Sequence, residues 1–233
     1  MLHFIKPNQI CNFFKIPVSI SGNLLQQMTE IIYRNDIDYK IEINNLLNNY
    51  KKNISSNISN LYQINCEILE TYKAANIFLP WLHSKPTRDK DAFFSIFDNY
   101  QYLDKEIKII KELLNSIEEK GYIENFDQSN KPIFGYYLIK NNEKKFYVQG
   151  GNHRVAVLSL LHPEKDIPIH LIKRAFNKVK NYTNTNLSYK LNPYKKIVYE
   201  EHHKFPSVTS KFINSEVAKL IFNKYFNNEQ KIK

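Results

Sequence analysis

The chain has 233 residues, a formal net charge of +10 and an apolar content of 42%, which is ample for a hydrophobic core. Its two cysteines, Cys11 and Cys66, have no CxxC spacing, which argues against a disulfide framework or structural zinc and favours a reducing, cytoplasmic location. No signal peptide and no apolar run of membrane-spanning length occurs, so the sequence predicts neither secretion nor a membrane span.

The first 95 residues are predicted to form a mostly helical N-terminal region. Apolar residues recur at spacings of 3, 4, 4 and 3 positions between Leu61 and Ala75, which is typical of one face of a helix. Such stripes usually face a core, so no ligand is assigned to them. The expected helices cover 24–33, parts of 38–52 and 57–76, and the two prolines and only tryptophan in 78–89 predict an ordered loop.

A further helix is predicted over 103–120, because its apolar residues fall on one face and Gly121 then supplies the usual glycine stop. Two β-prone runs follow, at 136–139 and 146–148, on either side of a polar Asn-Asn-Glu-Lys turn. This arrangement predicts a β-hairpin.

The most informative feature is the adjacent pair Gly150 and Gly151, in a chain with only five glycines. The pair lies between a β-prone stretch and an apolar helical run, which predicts a strand, a sharp turn and a helix start. Such a junction is an anion site, because the first N–H groups of a helix lack partners and its dipole is positive there. Asn152 is expected to cap the helix, while His153 and Arg154 add donors and charge. The alternative is a tight turn whose polar residues merely cap and solvate the helix.

Three segments, in order and in approximate spacing, resemble the ParB/sulfiredoxin superfamily. They are Leu113-Leu-Asn-Ser-Ile-Glu-Glu-Lys-Gly121, Gly150-Gly-Asn-His-Arg154 and Ile167-Pro-Ile169. The resemblance implies an α+β fold whose core consists of a β-hairpin, glycine loop, helix and strand. The expected division is a helical region at 1–95, a ParB/sulfiredoxin-like nucleotide-binding core at 96–174 and a basic extension at 175–233 packed on the core.

The resemblance also implies that ATP or another nucleoside triphosphate binds with Mg²⁺ at the glycine loop. Sulfiredoxins carry a catalytic cysteine where this chain has Asn152, and an amide cannot act as a thiolate nucleophile, so sulfinic acid repair is excluded. The expected nucleotide-binding residues are Gly150, Gly151, Asn152, His153 and Arg154, with Ser116 and Lys111 (or Lys108) from the preceding helix.

The leading functional prediction is phosphoryl transfer from the triphosphate to a small hydroxyl acceptor, since some members of the superfamily phosphorylate such compounds. A kinase needs a base near the acceptor hydroxyl and usually a carboxylate for magnesium. Asp89 and Glu118 are the candidate catalytic carboxylates, and no metal-ligating cluster is predicted.

Two alternatives stay open. Residues 173–233 hold 13 Lys and Arg against 4 Asp and Glu, and such a basic segment can lie along a phosphate backbone. A nucleic-acid-associated protein that uses its nucleotide as a switch is therefore the competing prediction, although the sequence shows no pair of closely spaced recognition helices, only a β-prone fragment at 196–199 and one helix at about 215–226. The third possibility is a degenerate binding module without chemistry.

Overall fold

The computed structural model describes residues 2–11, 23–34, 38–53, 57–72, 78–86, 100–122, 132–171 and 197–226. These residues form a mixed α+β fold with one mixed six-stranded sheet and several helices. None of the helices in these ranges is both long enough and apolar enough to cross a membrane.

The strands are β1 (Leu2–Ile5), β2 (Ile10–Cys11), β3 (Phe134–Lys140), β4 (Glu143–Gly150), β5 (Ile167–Leu171) and β6 (Ile197–Tyr199). The helices are α1 (Leu24–Arg34), α2 (Tyr39–Asn53), α3 (Ile58–Tyr62), α4 (Glu67–Glu70), α5 (Tyr100–Lys120), α6 (Asn152–Leu161), α7 (Pro206–Thr209) and α8 (Ser215–Asn223).

The sheet has the hydrogen-bonded order β1-β5-β3-β4-β2, and β6 also pairs with β3. β3 and β4 form the predicted hairpin, with Asn141 and Asn142 both at positive φ, as a tight turn between antiparallel strands requires. β5 pairs with the start of β3 and β6 with its end. The sequence patterns did not predict β1 and β2, which extend the sheet by pairing with β5 and β4.

The predicted helices over 24–33, 38–52 and 103–120 are confirmed as α1, α2 and α5. The one over 215–226 is confirmed as α8, which ends at Asn223. α1 begins after the buried Asn23, whose Oδ1 accepts the N–H of Leu25 at 3.1 Å and so caps the helix. α1, α5 and α6 contact one another, and their apolar residues belong to one core.

The single helix predicted over 57–76 is wrong. The chain instead forms α3 and α4, with a turn between them in which Gln63 has a φ of +51°. Ser59 Oγ donates to the carbonyl of Ile64 and accepts the N–H of Cys66. A side-chain hydroxyl thus replaces backbone bonds that a continuous helix would make. The last residues of the predicted helix, 73–77, lie outside the described residues.

A buried aromatic cluster joins the middle of the chain to the sheet and to the C-terminal helices. Trp81 Nε1 donates to the hydroxyl of Tyr136 on β3 at 3.0 Å. The indole also packs edge-on against Phe222 and Tyr225, with ring centroids 5.4 and 5.2 Å apart. The hydroxyl of Tyr62 lies 3.0 Å from that of Tyr225. The predicted loop is therefore packed into the core over 78–86, and residues 197–226 lie against the sheet.

His83, in the same loop, gives the stability of the protein a dependence on pH. Its Nδ1 accepts the N–H of Leu79 at 3.1 Å, and burial lowers the pKa of the imidazole from 6.5 to about 4. As the pH falls, His83 is protonated in the unfolded chain before it is protonated in the folded chain. The stabilisation that comes from the neutral His83 is therefore complete above pH 6.5. It is lost as the pH falls toward 4, by up to about 3 kcal/mol.

Urea unfolding measured between pH 7.5 and pH 4 checks this expectation. His83→Asn keeps a hydrogen-bond acceptor near the Nδ1 position but does not titrate, so its stability should fall less over this window than that of the natural protein. Parallel profiles for the two proteins would contradict the assignment.

Candidate functional site

The candidate site lies where β4 passes into α6. β4 ends at Gly150 and α6 begins at Asn152, with Gly151 between them in the left-handed region at a φ of +91°. A Cβ at Gly151 would be strained and would lie 3.0 Å from the Cα of Ile133. The predicted order of strand, glycine turn and helix start is confirmed.

Gly150 is required for a different reason. A Cβ at this position would lie 2.3 Å from Cε1 of Phe134, because the phenyl ring covers the glycine Cα. Phe134 is the cross-strand partner of Gly150, and the register then shifts by one residue at a β-bulge. Close packing therefore explains both glycines without a ligand, and any binding role is additional.

The first turn of α6 has no N-cap side chain. Gly151 occupies the N-cap position, so the expected cap by Asn152 is wrong: that residue is already inside the helix, where its side chain no longer precedes the first N–H groups. Its Oδ1 is buried and has no hydrogen-bond partner among the described residues. A helix start without a side-chain cap keeps its preference for an anion.

A buried carboxylate from α5 meets this helix start. Glu106 Oε2 contacts Nε2 of His153 in the first turn of α6, and Glu106 is only 7% exposed. Removing a carboxylate from water costs several kcal/mol unless it is paired, so the contact with the imidazole offsets part of this cost. The contact also fixes the orientation of the ring. Arg154 follows in the same turn and is half-buried.

Glu106 is the site residue that the sequence reasoning missed. The signal was present: Glu106 lies between Leu103 and Ile107 on the buried stripe of α5, where the other positions are apolar. Charged residues are rarely fully buried without a partner. A carboxylate inside an apolar stripe therefore indicates either an ion pair or a functional site.

The structure does not bring Ser116, Glu118 and Lys111 to the start of α6. α5 and α6 run in the same direction, because the residues just past α5 share a small cavity with the end of α6. Ser116 lies ten residues beyond Glu106, which is about 15 Å along the helix axis. Ser116 and Glu118 are exposed, and Lys111 Nζ lies 4.1 Å from the centroid of the Tyr39 ring.

The remaining predicted residue, Asp89, lies outside the described residues. Within the described parts of the chain, no group of three or more His, Cys, Asp and Glu side chains could hold a metal ion. The residues that the structure does bring together are Gly150, Gly151, Asn152, His153 and Arg154, joined by Glu106.

Comparisons of this chain with protein-family models, with curated proteins and with solved structures gave no match. The resemblance to the ParB/sulfiredoxin superfamily therefore rests on the three sequence segments and stays a prediction. The mixed α+β architecture is what the structure shows.

We expect Gly151→Ala to destabilise the protein more than Gly121→Ala. Both glycines have positive φ, +91° and +72°, but a Cβ at Gly121 would meet no atom within 4 Å, whereas one at Gly151 would press on Ile133. Gly121→Ala should therefore cost about 1–2 kcal/mol of left-handed strain. Gly151→Ala should cost about 1–3 kcal/mol more, because the backbone must also shift.

Thermal or urea denaturation of the two variants measures this difference. Equal losses would show that the turn relaxes freely around Ile133, contrary to the packing described.

Proposed function

We propose that this chain binds a nucleoside triphosphate at the start of α6 and transfers its terminal phosphoryl group to a small hydroxyl acceptor. The observation that supports the proposal best is the contact of the buried Glu106 with the partly exposed His153, beside a helix start that has no side-chain cap. The helix start attracts an anion, and the carboxylate is the kind of group that a hydroxyl acceptor needs as a base.

The first turn of α6 would hold the phosphates. Its N–H groups lie at the positive end of the helix dipole, and the planar guanidinium of Arg154 can bind two phosphate oxygens at once.

Glu106 is assigned the role of general base. One of its oxygens, Oε2, contacts the imidazole of His153, and an ionised carboxylate can accept several hydrogen bonds. As the hydroxyl oxygen attacks the terminal phosphorus, its proton passes to Glu106. The bond to the bridging oxygen breaks, and the nucleoside diphosphate leaves. His153 acts through Glu106, because it holds the carboxylate in place.

Asn152 offers an oxygen for Mg²⁺. Its Oδ1 is buried and has no hydrogen-bond partner among the described residues. Mg²⁺ prefers oxygen ligands and is commonly bound through few protein groups together with substrate phosphates. The ion would supply charge neutralisation at the phosphates.

Arg154→Ala is expected to weaken nucleotide binding by roughly 10- to 150-fold, the value of one charge-assisted hydrogen bond. Arg154→Lys should restore only part of the affinity, because a point charge cannot reproduce two parallel donors. Isothermal calorimetry with ATP, CTP and GTP in the presence of magnesium measures the effect.

Lys111→Ala is the matched control, since this lysine lies against Tyr39 and not at α6, and it should bind nucleotide like the natural protein. No heat with any triphosphate for the natural protein would remove the proposal. An Arg154→Ala variant with full affinity but a much lower melting temperature would make the arginine structural.

Glu106→Gln is expected to lower turnover by about 10²–10⁴-fold, the usual contribution of a general base, and to leave nucleotide affinity within a few-fold. Release of nucleoside diphosphate in the presence of hydroxy amino acids and sugars measures turnover. Glu118→Gln, on the exposed face of the same helix, is the control. Unchanged turnover in Glu106→Gln would exclude Glu106 as the base.

A further inference from the structure

The imidazole of His153 has one nitrogen in contact with a carboxylate and one nitrogen without a partner. Nε2 contacts Oε2 of the buried Glu106. For Nδ1, the described residues supply no hydrogen-bond partner, and the side chain is partly exposed. The pairing with Glu106 therefore uses only one edge of the ring.

The contact with Glu106 determines which ring nitrogen carries the lone pair. An ionised carboxylate only accepts hydrogen bonds, so the Nε2 that contacts it carries the proton. A neutral imidazole has one N–H and one acceptor nitrogen, which leaves the lone pair on Nδ1. An imidazole that a carboxylate orients in this way is suited to act as a nucleophile through its other nitrogen.

The phosphates of the proposed nucleotide site would lie next to Nδ1. The N–H of His153 is one of the first N–H groups of α6, which have no partner within the helix. Side chains of a helix lean toward its N-terminus, and Nδ1 is the ring nitrogen nearer to the backbone. A phosphate held by these N–H groups would therefore have its phosphorus within reach of Nδ1.

We propose that Nδ1 of His153 accepts the terminal phosphoryl group of a bound nucleoside triphosphate when no hydroxyl acceptor is present. The Nδ1 lone pair attacks the terminal phosphorus, the bond to the bridging oxygen breaks, and the nucleoside diphosphate leaves with that electron pair. The proton on Nε2 passes to Glu106. This inference rests on the proposed nucleotide binding, and it makes His153 a modification site in addition to a partner that holds Glu106.

The phosphorylated histidine would be stabilised where it forms. A phosphoryl group on Nδ1 adds negative charge and acceptor oxygens at the positive end of the α6 dipole, where no side chain caps the first N–H groups. The same group would occupy the place of the triphosphate, so the phosphorylated protein should bind ATP more weakly than the unmodified protein.

Incubation of the full-length protein with magnesium and ATP labelled on its terminal phosphate, without any hydroxyl acceptor, tests the inference. The protein should acquire a label that survives alkali and is lost in acid, as a bond between phosphorus and an imidazole nitrogen is. Peptide mass spectrometry of the natural protein should place the phosphoryl group on His153. Glu106→Gln should slow the labelling by about 10²–10⁴-fold, the usual contribution of a proton acceptor.

His153→Asn should abolish the label, because an amide nitrogen has no lone pair available for attack. His162→Asn is the matched control, since His162 follows the last residue of α6 at the other end of the helix, and it should be labelled like the natural protein. Because His153→Asn removes the partner of Glu106, its melting temperature is measured as well, and the mass spectrum of the natural protein locates the site independently of this variant.

Calorimetry with ATP separates this inference from the proposed function. A natural protein that binds ATP and phosphorylates a hydroxyl acceptor, but takes up no label itself, would overturn the inference alone. A label that is stable in acid, or one that lies on a residue other than His153, would also overturn it. Absence of ATP binding would remove both this inference and the proposed function.

Discussion

Strand β3 is the constraint on which the rest of the structure depends. It pairs with β4 along its length, with β5 at its start and with β6 at its end, so segments distant in sequence meet on one strand. The pairing with β4 is so close that Gly135 has no room for a side chain, because a Cβ there would lie 1.9 Å from the carbonyl oxygen of Tyr147. Tyr136 binds Trp81, and Phe134 covers Gly150. Both the aromatic cluster and the glycine junction depend on this strand.

The start of α6 combines two features that lower stability. It has no side-chain cap, and it faces a buried carboxylate that requires a partner of its own. Each feature lowers stability relative to a capped helix against an apolar surface. In the absence of an anion, Glu106 itself brings negative charge close to the helix start and so offsets part of the cost.

What the sequence could predict was local. The hairpin, the glycine turn and α6 each carry their signal within about ten residues, and all three are present. β1 and β2 could not be predicted, because they are short and their partners lie more than a hundred residues away. The apolar spacing alone favoured one helix over 57–76, but the Ser59 hydroxyl bonds Ile64 and Cys66 in the turn between α3 and α4, and such a bond leaves no trace in the periodicity. Glu106 was not predicted, because the resemblance pointed to the polar residues of α5 near Gly121, whereas the contact with His153 comes from the buried stripe of the helix.

The hydroxyl pair between Tyr62 and Tyr225 has a consequence for the synthesis of the chain. Trp81 and Tyr62 find their aromatic partners on α8 and just after it, and β1 finds its partner only in β5. A nascent chain emerging from a ribosome therefore carries an unpaired β1 until β5 has appeared, and unburied rings until almost the last described residue has appeared. Contacts of such long range slow folding and lengthen the time for which apolar surface is open to aggregation. The core of this fold is therefore completed late in synthesis. Chaperones that bind exposed aromatic segments would act mainly before the C-terminal helices have been made.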